Sequence, residues 1–156
     1  MGYDVNINFG NPGNYVSRGF VSCKKMIRER GLCGIATVNP PVFDSDKENT
    51  LLASDVFIQT SRTEAMPMGI LEALSYGLPT LVTEGTTLGS FINGYNAGWV
   101  AKCDAESIFE CIKAAIDGVD SLSEKSEGAI NLVKENFAWD KVAKSAVNEY
   151  HELIKS

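Results

Sequence analysis

Short apolar runs alternate with longer helical patterns along the chain. Val5-Asn6-Ile7-Asn8-Phe9 alternates apolar and polar side chains, the period of a half-covered strand, and Gly10-Asn11-Pro12-Gly13 ends it in a turn. Over 17–30, Val21, Met26 and Ile27 form an irregular helical stripe among Lys and Arg, and Gly31 supplies a stop. A second strand over 34–38 is cut off by Asn39-Pro40-Pro41. A short helix follows over 45–53, capped by Asp44 or Ser45. The third strand spans 55–60, and a loop over 61–66 leads to a helix from Pro67 to about Tyr76, stopped by Gly77. Pro67 suits the first helical position, where a missing N–H costs nothing. The fourth strand is 79–83, a short helix or turn covers 88–93, and the fifth strand is 98–101. Helices are predicted over 105–117, 123–136 and 139–155, with the polar stretch 117–126 as a connecting loop.

Strand and helix in strict alternation imply a parallel sheet with helices on both faces. The expected fold is therefore α/β: a doubly wound, Rossmann-like sheet of five strands in order 2-1-3-4-5, three layers deep, with a helical C-terminal tail. Residues 1–156 read as a single domain. Strands covered on both faces should be continuously apolar, and the third and fourth nearly are. The first is not, which fits an edge strand or a sheet missing a neighbour. In such a sheet a ligand lies beyond the carboxyl ends of the strands. That directs attention to the loops 10–16, 39–45, 60–67 and 83–89.

Composition narrows the chemistry. The 156 residues carry 14 Lys+Arg against 20 Asp+Glu, a net charge of −6, which argues against an electrostatic nucleic-acid partner. No apolar run is long enough to span a membrane, and the first residues lack a basic-then-apolar leader. The four cysteines, at 23, 33, 103 and 111, have neither CxxC spacing nor a nearby His. They are expected as reduced, mostly buried thiols of a cytoplasmic protein. The single histidine, His151, falls in the terminal helix, expected to be exposed, which removes triads and His metal cages from consideration.

The loop 60–67 carries the most chemistry. It leaves a buried strand and enters a helix whose first free N–H groups are expected to be those of Met68, Gly69 and Ile70. A helix start of this kind binds phosphate without a cation, and Gly69 lets a ligand approach the backbone. Glu64 precedes the helix. Glu72 lies about five residues into it, roughly 7–8 Å along the axis at 1.5 Å per residue. Helical side chains lean back toward the N-terminus, so Glu72 can accept from a group beside the first turns. Glu64 and Glu72 are equally explicable as ordinary acids that favour the positive end of a helix dipole. The residues alone leave both readings open.

The run Ala53-Ser54-Asp55-Val56-Phe57-Ile58-Gln59-Thr60-Ser61-Arg62-Thr63-Glu64, continued by Leu71-Glu72-Ala73-Leu74-Ser75-Tyr76-Gly77-Leu78-Pro79, resembles the donor-binding half of retaining GT-B glycosyltransferases of the group 1 family. The family signature is two Glu separated by seven residues, the spacing of Glu64 and Glu72. The resemblance extends through Asn39-Pro40-Pro41-Val42, Thr83-Glu84-Gly85-Thr86, Ala97-Gly98-Trp99-Val100 and Phe137-Ala138-Trp139-Asp140, about residues 34 to 154. It implies that Glu64 contacts hydroxyls of the transferred sugar and acts in catalysis, and that Glu72 binds the nucleotide ribose. Met68, Gly69 and Ile70, behind Pro67, would take the diphosphate, Arg62 would add a diphosphate contact, and the loop of Asn39 and Pro41 would hold the base. The donor would be a UDP- or GDP-linked sugar. No cofactor and no metal are implied, since no Asp-x-Asp pair suits a Mg²⁺–diphosphate site.

Two departures accompany the resemblance. Ala65 stands where the family usually has Gly after the first Glu, which would tighten the sugar pocket. The family also places an Arg and a Lys on the loop after its first donor-domain strand. Here Arg18-Gly19-Phe20 stands in for Lys-Gly-Phe, and the Arg partner has no match. The acceptor-binding N-terminal half has no counterpart, so the chain supplies one wall of a two-domain enzyme. Through that other domain the enzyme would be peripheral to the inner membrane. The alternative is a non-catalytic Rossmann-like module for binding or assembly that keeps the scaffold. A flavodoxin-like or receiver-like reading lacks the acidic cluster or the phosphate-cradling Ser/Thr run.

Overall fold

A computed structural model describes residues 5–8 and 15–155. They fall into two compact units, Met1–Asn49 and Thr50–Ser156. In the first, β1 (Val5–Asn8) lies parallel to β2 (Ala36–Asn39) with Val5 opposite Ala36 and Asn8 opposite Asn39. The helix α1 (Tyr15–Glu29) joins them, beginning earlier than the sequence suggested. The turn expected over 10–13 lies outside the described residues. After β2, α2 (Asp44–Leu52) starts where the Phe43 carbonyl accepts from the N–H groups of Asp46 and Lys47.

The second unit carries the core. Its sheet is β3 (Phe57–Gln59), β4 (Thr80–Thr83) and β5 (Gly98–Ala101), all parallel, with β4 in the middle. Every residue of β4 is buried, as its apolar run predicts for a strand covered on both faces. The strand orders 2-1 and 3-4-5 within the two sheets are those expected, and the pairings described are confined to these two sheets. Between β3 and β4 runs α3 (Met68–Ser75), which buries Ile70, Ala73 and Leu74. Gly77, at φ 74°, lets the chain leave that helix in the left-handed region that L side chains avoid. A short α4 (Gly89–Gly94) links β4 to β5, and α5 (Ala105–Asp117) follows, its first turn capped by the Asp104 carboxylate accepting from the Ser107 N–H at 2.8 Å.

The stretch 117–126 is not a loop. A single 3₁₀ turn over Val119–Ser121 leads directly into α6 (Leu122–Asn136). Its polar residues are an outer helical face, and Lys125 is anchored: its Nζ donates to Asn96 Oδ1 at 2.6 Å and to the Gly98 carbonyl at 3.3 Å, 4.8 Å from the Trp99 ring centre. Further along the helix, Ala129 and Leu132 join Ile70, Leu74, Val82, Leu88, Ile92 and Ala97 in one apolar cluster. Phe91 and Phe137 meet edge to face at 5.5 Å beside it.

The last helix, α7 (Trp139–Lys155), buries no residue. Its apolar side chains at 139, 142, 143, 146, 147, 150, 153 and 154 share one side, and Trp139 is 86% and Ile154 81% exposed. His151 is exposed on this helix, as expected. The cysteines are free but not mostly buried: Cys33 and Cys103 are exposed, Cys23 and Cys111 half-buried. They sit on helix flanks and loop ends rather than in the cluster around β4. Burial, then the neighbouring Glu110 carboxylate, push the Cys111 thiol above its usual range.

Candidate functional site

The carboxyl ends of β3 and β4 open into two loops that are laced together. The Thr83 hydroxyl donates to the Ser61 carbonyl, the Glu64 N–H to the Gly85 carbonyl at 3.0 Å, the Thr87 N–H to the Glu64 carbonyl at 3.2 Å, and the Thr87 hydroxyl to the Ala65 carbonyl at 2.5 Å. Glu64 thereby forms a one-residue parallel bridge with Thr86. The loops approach so closely at Gly85 that a Cβ there would collide with the Arg62 carbonyl. Thr83-Glu84-Gly85-Thr86 is therefore the brace that holds the Glu64 backbone.

The Glu64 side chain is half-buried and its Oε1 accepts two hydrogen bonds, from Gln59 Nε2 at 3.2 Å and Ser61 Oγ at 3.1 Å. Among the described residues no donor meets Oε2. Neither a capping role nor a solvated loop position accounts for this arrangement. A carboxylate offers about four acceptor sites; the two donors use those on one oxygen and leave the other without a donor among the described residues.

Pro67 is the cap of α3 rather than its first residue, at φ −79° and ψ 90°. Its carbonyl accepts from the N–H groups of Ile70 at 3.0 Å and Leu71 at 3.3 Å. Ile70, expected as a phosphate donor, is fully buried and spends its N–H on Pro67. The donors at the helix start without an acceptor among the described residues are those of Met68 and Gly69, both exposed. A Cβ at Gly69 would sit 3.6 Å from Phe57 Cζ and 3.7 Å from Gln59 Oε1, which is ordinary contact. The fold does not require glycine there.

Glu72 is the fifth residue of α3 and half-buried. Arg62 is exposed on the loop. In the other unit Asn39 closes β2 and is half-buried, as is Pro41. Arg18 falls within α1, and its side chain lies outside what the structure describes. Asp44-Ser45-Asp46 has Asp-x-Asp spacing, but lies in the first turn of α2 with both acids exposed. Among the described residues no three acids, thiols or imidazoles gather as metal ligands. A groove of about 610 Å³ opens over the ends of β4 and β5, beside Glu84, Thr87 and Lys102 rather than at Glu64. Sequence reasoning missed Gln59 and Ser61 as partners of Glu64. The visible signal was a Gln inside the apolar run Val56-Phe57-Ile58-Gln59, two residues before the Ser.

The sequence profile of the family "Glycosyl transferases group 1" matches residues 19–131, more than half of the chain. The chain belongs to this family. Its fold is that of the C-terminal, Rossmann-like half of a GT-B glycosyltransferase. It is a donor-binding domain of group 1 type. The structure of HepE from Anabaena in complex with UDP superposes with a TM-score of 0.81 at 14% identity, over 96% of this chain and 41% of that one. Sucrose-phosphate synthase from Thermosynechococcus elongatus gives 0.78 at 16%, over 96% and 38%. Among curated relatives, an Escherichia coli protein, UDP-Gal:alpha-D-GlcNAc-diphosphoundecaprenol alpha-1,3-galactosyltransferase, is 38% identical over 77 residues, 49% of this chain and 16% of that protein. This group 1 chain thus spans about two fifths of the matched structures, and much less of the curated relative. No helix among its described residues is long and apolar enough to cross a membrane.

Proposed function

We propose that this chain is the nucleotide-sugar-binding part of a longer retaining glycosyltransferase, with an acceptor-binding domain elsewhere in the enzyme. The observation that carries the reading is the start of α3. Among the described residues, two backbone N–H groups, of the exposed residues Met68 and Gly69, have no acceptor at the positive end of a helix that follows Glu64, whose carboxylate has one oxygen without a donor. A diphosphate fits the first feature and a sugar hydroxyl the second. Glu72, one turn further on, accepts from the ribose hydroxyls. In the parent reaction the sugar moves to an acceptor with retention at the anomeric carbon. The helix start stabilises the charge that develops on the departing nucleoside diphosphate, as preorganised donors do for leaving oxyanions.

UDP is named for both the Anabaena structure and the Escherichia coli relative, so it is the first ligand to try, with GDP second. Titration calorimetry with millimolar UDP should give measurable, weak binding. Gly69→Ala should weaken it by about tenfold, because the added methyl stands between phosphate and backbone. The same variant should keep or slightly raise stability, since the site has room and Ala favours a helix over Gly by about 0.5–1 kcal/mol. No heat and no chemical-shift change with either nucleotide would favour a scaffold kept without chemistry.

Glu72→Ala tests the ribose contact. Losing hydrogen bonds to a charged acceptor should cost about 1.5–3 kcal/mol of nucleotide affinity. Urea denaturation should shift by about 1 kcal/mol or less, the usual scale for a residue outside the core. A variant that unfolds readily but binds UDP normally would make Glu72 structural.

A further inference from the structure

We propose that Gln59 and Ser61 are positioning residues that set how tightly the site holds the sugar of a UDP-sugar by fixing the Glu64 carboxylate. The inference rests on the donor-site reading above and goes one layer behind it. Gln59 ends β3 with its side chain toward the helix side: Nε2 bonds Glu64 Oε1 at 3.2 Å, while Oε1 lies 3.7 Å from the point where a Cβ on Gly69 would stand. One amide therefore spans the interval between the carboxylate and the first turn of α3. Ser61 holds the same Glu64 oxygen from the loop side at 3.1 Å, and its own backbone is tied down by the Thr83 hydroxyl bonded to its carbonyl.

Two donors on a single oxygen have a directional consequence. They stop the carboxylate from turning about its terminal torsion, which is otherwise broad and roughly two-fold. Oε1 is then occupied and Oε2 is the oxygen presented. A carboxylate held this way offers its remaining acceptor sites in one direction, suited to one or two adjacent hydroxyls of a hexose. Without Gln59 or Ser61 it would still be an acid but would have to be ordered by the ligand. Ordering a side chain on binding weakens association without removing any contact to the ligand. The effect belongs to the sugar alone, because the diphosphate meets Met68 and Gly69 and the ribose meets Glu72.

The test compares UDP with UDP-glucose and UDP-galactose on the full chain, using Gln59→Leu, Ser61→Ala and Ser61→Thr. For the unsubstituted protein at least one UDP-sugar should bind more tightly than UDP. Gln59→Leu and Ser61→Ala should each reduce that advantage by about fivefold to tenfold, on the scale of one lost positioning hydrogen bond. Their UDP affinities and thermal midpoints should stay close to the original. Ser61→Thr keeps the hydroxyl and should retain the advantage. Equal losses for UDP and UDP-sugars, an unchanged ratio in both deletions, or no sugar advantage in the unsubstituted chain would each overturn the proposal. Failure of the unsubstituted chain to bind UDP at all would instead overturn the donor-site reading beneath it. Should Gln59→Leu unfold, the contrast between Ser61→Ala and Ser61→Thr decides the matter.

Discussion

Incubated with a labelled nucleotide sugar and lipid, glycan or protein acceptors, the purified 156-residue chain is expected to transfer no sugar. Transfer requires an acceptor hydroxyl held against the anomeric carbon. Such positioning is worth roughly 7–11 kcal/mol of the barrier. The chain aligns with about two fifths of the two structures compared above, and the acceptor-binding domain is proposed to lie elsewhere in the enzyme. The leaving group is also expected to be less supported than the family resemblance implies, because the Arg that joins the Lys in that pattern has no match among these residues. Losing one such stabiliser typically lowers rate by about 10²–10³. Donor binding is expected to survive both deficits, since the contacts proposed for the start of α3, Glu64 and Glu72 do not depend on either. Turnover by the chain alone, measured as label on any acceptor, would show that acceptor positioning is built into these residues.

Gly85→Ala should be the most damaging single methyl in the site. The added carbon would overlap the Arg62 carbonyl and press on that of Ser61. Backbone must move, and what moves is the lacing that carries Glu64: its N–H bond to Gly85 and the Thr87 N–H bond to its carbonyl. Overpacking costs about 1–3 kcal/mol, and each hydrogen bond lost adds about 1 kcal/mol. A loss of about 3–5 kcal/mol in urea denaturation is therefore expected, large beside the few kcal/mol margin of an ordinary domain. UDP-sugar affinity should fall with it. Gly69→Ala is the matched control on the other side of Glu64, because there the same methyl meets only ordinary van der Waals contacts. A stable Gly85→Ala protein would mean that the loop 61–64 is not closed on residue 85.

The elements legible in the sequence were those in which local pattern and tertiary role agree. Thr80-Leu81-Val82-Thr83 reads as a covered strand and is the middle of its sheet. Pro67 and Gly77 bracket α3 as punctuation, and the seven-residue interval between Glu64 and Glu72 singled out the loop and helix together. What stayed hidden depended on contacts between distant segments. The segment 117–126 looked like a connection because its polarity was visible, while the tie from Lys125 to Asn96, Gly98 and Trp99 was not. Counting free N–H groups by position assigned one to Ile70. The 3₁₀-type bond to Pro67 that removes it depends on cap dihedrals no composition rule reports. Gln59 reads as a polar interruption in an apolar strand until its amide is seen against the Glu64 carboxylate. The first unit was least legible: its strands β1 and β2 pair with each other in a two-stranded sheet, where a single five-stranded sheet was expected.

The outward stripe of α7 bears on how the protein withstands proteases. Helices of about 12–15 residues are only marginally stable on their own in water, and most helical stability in proteins comes from a packed face. At 17 residues with none buried, α7 has little of that support. Segments of this kind open well below the free energy of global unfolding, and cleavage follows the population of the opened form. Trypsin therefore meets Lys141, Lys144 and Lys155 long before it reaches a bond near Val82 or Leu132. Digestion should trim the chain from its carboxyl end toward Phe137, whose ring packs on Phe91, and pause there with the β4-centred core whole.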